Sequence, residues 1–303
     1  MKLIKKIRNY KNTFKIKCIE FILKTVDDKY YTSLRESCRE ELYDELKNQY
    51  TQTISIIDPL QTLEEIGHAI KNDKRGAYMR FGDGDAYLAS GINDSFQIVS
   101  RDLSQEMKEP FLLKGEFIYK SLSIHSELYG YEKEMYVGNH LVKDKLANKL
   151  LRLTFQYYIG HKIFSPISLH FAATYYPDIA NEFLKKMKEK CILFIGNESV
   201  SENIIGLLFG QAQHIKTPSK NAYDSIDSIE NKAIEALNNT NDFGVVVVAM
   251  GCSGRPMMKR LYNKGFNIFL FDFGSLLDGI CGDNSRTWLK KENIDYTTLL
   301  KNL

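Results

Sequence analysis

The chain lacks most of the features that place a sequence at first sight. Its cysteines (Cys18, Cys38, Cys191, Cys252, Cys281) are odd in number, scattered and without C-x-x-C spacing. That excludes a disulfide frame and a zinc ribbon, and predicts free thiols in a reducing compartment. No apolar run approaches the length of about 18 residues that a membrane-spanning helix needs. Lys11, Lys15 and Lys17 interrupt every apolar run of the N-terminus, so no signal-peptide core is expected and the predicted location is cytoplasmic. The histidines (His68, His125, His140, His161, His170, His214) form no H-x-x-x-H pair. There is no G-x-S-x-G elbow, no Walker lysine loop and no G-x-G-x-x-G fingerprint, which argues against serine-hydrolase, P-loop and dinucleotide chemistry. Internal repeats and low-complexity linkers are also missing.

Charge of one sign is scarce outside the N-terminus. Residues 1–24 hold eight Lys/Arg against a single acid, Glu20, whereas the remainder holds 33 basic and 37 acidic residues. The body therefore carries no nucleic-acid footprint. Leu3, Ile7, Tyr10, Phe14, Cys18 and Phe21 recur at helical spacing among lysines, predicting a basic amphipathic helix. It either contacts the inner face of an anionic membrane peripherally through residues 1–24 or packs on protein. Leu34, Cys38, Leu42 and Leu46 continue the helical pattern, as a hairpin with the first helix or as a homodimerisation arm. Residues 1–51 are thus expected to be a helical extension, and 52–303 one α/β domain.

From Gly76 onward short apolar runs alternate with helical stretches. Strands are predicted at 77–81, 96–99, 117–121, 162–164, 191–195, 214–217, 245–250 and 267–271. Helices are predicted at 103–113, 141–158, 170–176, 178–189, 202–211, 225–238 and 256–264. Thr62 with Glu65 reads as a capping box opening a helix through about Lys71, after a break at Asp58-Pro59. A run as uniformly apolar as Val245–Met250 predicts a mainly parallel sheet with helices on both faces.

In such sheets ligands bind beyond the carboxyl ends of the strands, so the residues there carry the interest. After the first strand, Arg80-Phe-Gly-Asp-Gly-Asp85 sets two carboxylates around a glycine that frees the backbone. Hard divalent cations take such oxygen ligands, and the Arg80 fork suits phosphate. Alone, the motif reads first as an acidic turn with no ligand. Later loops carry Gly196-Asn-Glu-Ser199, Pro218-Ser-Lys-Asn221 and Gly251-Cys-Ser-Gly254. The last opens a helix and predicts an anion site. Lys220 can neutralise a diphosphate, and Asn221 can both donate to and accept from a sugar hydroxyl or base edge.

Several of these segments together resemble the GT-D glycosyltransferase family of bacteria. Arg80–Asp85 is similar to its R-F-G-D-G-E signature, with Asp85 at the glutamate. Ile192–Ser199 resembles its strand with a G-x-E-S element, and Ile215–Asp224 its P-[AS]-K-N-A-[FY]-D segment. Ala249–Gly254 through Asp272-Phe-Gly-Ser275 resembles its A-L-G-P-T-A…D-x-G-H ending, with Cys252-Ser253 at the Pro-Thr and Ser275 at the histidine.

The resemblance implies a Rossmann-like domain that transfers a sugar from a nucleotide donor, a UDP-sugar first, to a surface glycan or glycoprotein. It implies a divalent metal, manganese or else magnesium, on Asp83 and Asp85. Arg80, Gly82, Ser199, Ser219, Lys220, Asn221, Gly251 and Ser253 would face the donor diphosphate, and Glu198 would activate the acceptor or position the sugar. Two other readings stand beside it. One is a haloacid-dehalogenase-type phosphotransferase, which also uses D-x-D after a strand. The other is a non-catalytic, membrane-attached glycan-binding module or scaffold.

Overall fold

The computed structural model describes residues 55–122, 162–240, 242–282, 300 and 303. The N-terminal extension (1–51), the helix expected at 141–158 and the histidines at 125, 140 and 161 lie outside the described residues.

A short strand β1 (Ser55–Ile56) leads into helix α1 (Pro59–Lys71). Asp58 caps this helix: its Oδ1 accepts from the N–H groups of Leu60 and Gln61, each at 2.9 Å. Proline at the first helical position needs no such partner. The cap is therefore Asp58-Pro59 and not the Thr62–Glu65 box expected from sequence. Thr62 lies inside the helix, buried, and its hydroxyl accepts from the Ser165 N–H at 3.1 Å.

Then follow β2 (Gly76–Phe81), α2 (Asp83–Ala89), α3 (Arg101–Glu106) and a short 3₁₀ turn at Glu109–Leu112. Next come β3 (Ile118–Leu122), β4 (Lys162–Ile163), α4 (Ser168–Tyr175), α5 (Pro177–Lys190) and β5 (Cys191–Asn197). The rest is α6 (Glu202–Phe209), β6 (Gln213–Thr217), α7 (Ile226–Asn238), β7 (Gly244–Ala249), α8 (Gly254–Asn263), β8 (Ile268–Asp272) and α9 (Leu276–Ile280).

β1 pairs with β4, and the remaining strands form one six-stranded sheet in the order β3-β2-β8-β7-β5-β6. Every pairing in it is parallel. Strand alternation divides the core. Val245, Val247, Phe269 and Phe271 pack with α1, α4, α5, α6 and α9 on one face. Val246, Val248, Ile268 and Leu270 pack with α7 and α8 on the other. The architecture is a Rossmann-like α/β fold with helices on both faces, as the apolar strands led one to expect. Connections leave β5 towards β6 and β7 towards β8, so the chain diverges between β5 and β7, which opens a crevice at their carboxyl ends.

On the α7/α8 face an ion-pair network fastens the helices to one another. Arg260 meets Glu106 with two parallel bonds (2.6 and 2.8 Å), and reaches Asp227 at 2.6 Å and Glu230 at 3.0 Å. The Tyr223 hydroxyl donates to the same Glu106 carboxylate at 2.6 Å.

Two further expectations differ from the structure. Residues 96–99 form no strand. Asp94 Oδ1 accepts from the N–H groups of Phe96 and Gln97, and Asn93 Oδ1 from Val99 N–H, so side chains take the bonds a sheet ladder would have used. The stretch predicted as one helix over 103–113 is the short helix α3 followed by the 3₁₀ turn, the second opening around Pro110.

Candidate functional site

The acidic glycine motif is not a loop. Gly82 is the N-cap of α2, and positions 83 and 85 are its first and third residues. Residues two apart on a helix do not face each other, so the backbone alone gives no convergent pair of acids. Asp85 turns back on its own helix start: its Oδ2 accepts the Gly82 N–H at 2.7 Å.

The same carboxylate is claimed by Arg255, in the first turn of α8. Asp85 Oδ1 lies 3.2 Å from Arg255 Nε, and Arg255 Nη2 donates to Asp85 Oδ2 at 3.2 Å. The third guanidinium nitrogen, Nη1, sits 3.0 Å from Asp272 Oδ2 at the end of β8 and donates to the Gly251 carbonyl at 2.7 Å. Asp85 and Asp272 are 1% and 4% exposed. Burial would lower the arginine's pKa, but Asp272 and Asp85 outweigh it and raise the pKa above its ordinary value. Arg255 is charged at any working pH.

Gly84 is demanded by this arrangement, though not for backbone freedom. A Cβ there would stand 2.7 Å from Cys252 Sγ and 2.9 Å from Asp94 Oδ2. The first turn of α2 is thus seated directly on the turn after β7. The Cys252 thiol donates to Asp94 at 3.5 Å. Burial, then Asp85 and Asp94, push its pKa well up, so it is no thiolate nucleophile.

Arg80 is engaged with backbone carbonyls: Nε donates to Pro166 O, and Nη1 to Phe273 O at 3.4 Å. Its guanidinium fills the space beside Gly274, where a Cβ would fall 1.3 Å from Nη1 and where φ is +64°. Next to it, Ser275 Oγ lies 3.2 Å from the Nε2 of buried His170. An imidazole from α4 therefore stands against the position at which the family ending carries a histidine.

Asn221, in the left-handed region (φ +56°), accepts the Ile98 N–H at 2.8 Å, and its own N–H donates to Phe96 O at 2.9 Å. Ser253 is buried and donates to Gln97 Oε1 at 3.0 Å. Asn221 and Ser253 are thus brought together through the 93–98 loop. Across the edge, Glu198, Ser199, Ser219 and Lys220 are exposed at the ends of β5 and β6. Glu198 N–H donates to Thr217 O at 2.9 Å and Ser199 N–H to Asn197 Oδ1 at 3.0 Å, which fixes this turn by one backbone bond and one side-chain bond. β5 is next to the sheet edge, three strands from β2, or roughly 14 Å at the usual spacing.

Sequence reasoning passed over Arg255, Asp94, Gln97 and His170. A signal for Arg255 existed: a cation in the first turn of a helix opposes the helix dipole unless acids hold it there. Asp94 sits in an Asn-Asp-Ser run of turn formers, which weighed against a strand.

The donor chemistry allows a test of the expected cation. Among the described residues no group of three or more His, Cys, Asp or Glu is placed to hold a metal. Asp85 is committed to Gly82 and Arg255 and is closed to solvent. Magnesium-like ions are commonly held by one or two carboxylates together with substrate phosphates and waters. A cation held by one carboxylate and the substrate's phosphates fits this chemistry, whereas a chelate that includes Asp85 would have to displace Arg255.

A parallel sheet with helices on both faces and polar turns along one carboxyl edge defines a Rossmann-like α/β architecture. Within that class the chain belongs to the glycosyltransferase GT-D fold family, which matches residues 78–277. The chain is similar to a solved structure of the highly conserved domain of unknown function 1792, described as a distinct glycosyltransferase fold. The identity is 17%, the TM-score 0.58, and the match covers 79% of this chain and 82% of the other. A selenomethionine-substituted structure of that domain matches at 18% identity and TM-score 0.57, over 78% and 82% of the two chains. A new glycosyltransferase of the same domain type, from Streptococcus sanguinis, matches at 17% and 0.53, over 74% and 82%. At these identities the likeness is one of fold. No curated protein matches the chain. Among the described residues no helix is long and apolar enough to cross a membrane.

Proposed function

We propose that this protein transfers a sugar from a nucleotide-sugar donor, in the first place a UDP-sugar, to a hydroxyl of a cell-surface glycan or glycoprotein. One observation carries the reading. In a chain of the GT-D family, a buried charged cluster and a row of exposed polar turns share the carboxyl edge of the sheet, where open parallel sheets bind ligands.

The donor diphosphate would run from the Gly251 turn, at the β5/β7 crevice, towards Lys220. Lys220 is exposed and places its charge against the leaving diphosphate without proton transfer. Ser199 and Ser219, also exposed, offer hydroxyl donors along the same edge. Glu198 takes the proton of the acceptor hydroxyl as its oxygen bonds to the anomeric carbon and the nucleoside diphosphate departs. A bound Mn2+ or Mg2+, with Asp83 as its protein carboxylate, would supply further positive charge for the diphosphate. Arg80, tied to carbonyls, shapes the floor between β2 and β8 beside the donor.

The test is a panel of UDP-, GDP-, CMP- and dTDP-sugars with manganese, read by thermal stabilisation and then by hydrolysis of the donor. One nucleotide class should raise the melting temperature and be turned over. No response to any member would overturn the donor-site reading in favour of a glycan-binding module.

A further inference from the structure

We propose that Asp85 is a positioning residue outside any ligand set, and that it works by holding Arg255, which ties the start of α2 to the ends of β7 and β8. The proposal deepens the donor-site reading and rests on it.

Three features carry it. First, Arg255 reaches both oxygens of Asp85 at 3.2 Å, and one of them also accepts the Gly82 N–H at 2.7 Å. With the residue 1% exposed, nothing from solvent reaches that carboxylate without first breaking the pair. Second, one guanidinium spans three segments: Asp85 on α2, Asp272 closing β8, and the Gly251 carbonyl after β7. A planar fork with donors on several edges can do this, whereas a lysine cannot. A divalent cation set against Asp85 would meet this fixed positive charge at contact distance.

Third, side-chain length agrees with the role. The aspartate at the third helical position reaches back to its own N-cap N–H and accepts from Arg255 with the same oxygen, Oδ2, while Oδ1 faces Arg255 Nε as an ion pair without a hydrogen bond. Seating of Gly84 against Cys252 and Asp94 holds the same turn from its other side. The backbone at residue 83 and the Gly251 turn are thereby kept at one spacing, whatever ligand lies between them.

The experiment uses the full chain with Asp83→Asn, Asp85→Asn, Arg255→Gln and the double variant Asp85→Asn/Arg255→Gln. Arg255→Gln leaves two buried carboxylates without their cation and should lower the melting temperature by about 10 °C. Asp85→Asn alone should lower it slightly, but in the Arg255→Gln background it should raise it, since it removes one of the stranded anions. Manganese affinity, from the loss of the free Mn2+ paramagnetic resonance signal, should stay within about threefold in Asp85→Asn and fall at least about tenfold in Asp83→Asn. The double variant should bind UDP with manganese at least about fivefold more weakly by calorimetry, even where its melting temperature has recovered, which a purely structural pair would not cause.

Asp85→Asn that loses manganese as fully as Asp83→Asn while melting like the parent would make Asp85 a ligand and end the proposal. Equal thermal effects of Asp85→Asn in both backgrounds would show that it does not act through Arg255. If Arg255→Gln fails to fold, the manganese comparison of the two aspartate variants decides alone. A parent chain that binds neither manganese nor UDP brings down the donor-site reading, and the thermal sign change then judges the Asp85–Arg255 link by itself.

Discussion

The carboxyl edge of the sheet has two unlike halves. Behind β2, β8 and β7 the charged groups are drawn inward and engaged: buried Asp85 and Asp272 with half-buried Arg255, and half-buried Arg80 with carbonyls. Behind β5 and β6 the polar groups, Glu198, Ser199, Ser219 and Lys220, are exposed, and the first two sit on a turn held through their own N–H groups. Charges that satisfy each other in the interior are costly to disturb and poor at meeting a ligand. Exposed groups on a rigid turn cost the fold little and remain available. One half therefore fixes shape, while the other supplies contact.

That division can be broken by substitution. The largest expected effect is Gly274→Val, which forces a branched side chain into a positive φ and onto the Arg80 guanidinium. It should cost about 3 kcal/mol in urea unfolding. A neutral result would mean that Arg80 is free to swing out.

Glu106→Gln comes next, at about 1–2 kcal/mol, because Arg260 keeps Asp227 and Glu230. Burial raises the Glu106 pKa, but hydrogen bonds from Arg260 and Tyr223 outweigh it and leave the net value below the usual carboxylate range. Its folded pKa is thus depressed. The stability it adds is present above the ordinary value of 4.5 and is lost as pH falls through the lower folded value. The parent chain should lose stability in that acid window more steeply than Glu106→Gln.

On the contact half, Lys220→Ala should leave unfolding within about 0.5 kcal/mol of the parent. Donor hydrolysis should nonetheless fall about tenfold, near 1.4 kcal/mol of transition-state binding. A lower melting point without loss of turnover would invert the comparison. The smallest effect is chemical. Cys252, a protonated thiol against Asp94, should resist iodoacetamide in the native chain and react once urea exposes it, as peptide mass analysis would show.

Legibility in the sequence followed the same line. The parallel sheet was readable because Val245–Val248 and Ile268–Phe271 are apolar on both faces, and β5, β6, β7 and β8 lie within a few residues of their expected limits. The exposed turns were readable too, since a polar residue after a buried strand has few structural duties. The buried half was not. Asp83 and Asp85 looked alike on paper, and only the helical turn and the distant Arg255 separate them. Asn221 and Ser253 show the same limit: each looked poised for a ligand, yet its side chain is spent on the 93–98 loop. Pairings across more than a hundred residues leave no local pattern. The 96–99 stretch failed for the opposite reason, because a side chain two residues away captured its backbone.

The place of β8 in the sheet has a consequence for how the chain comes to be folded. It lies between β2 and β7, so Arg80 and Asp272, bonded neighbours in the finished sheet, are 192 residues apart along the chain. During synthesis, at roughly 5–20 residues per second, β2 and β3 emerge early and wait for a partner strand made near the end. A chain halted before Ile268 would hold two ribbons, β3–β2 and β7–β5–β6, with no strand between them and with Arg255 lacking one of its carboxylates. Closure of the sheet and completion of the charged cluster therefore both wait on β8.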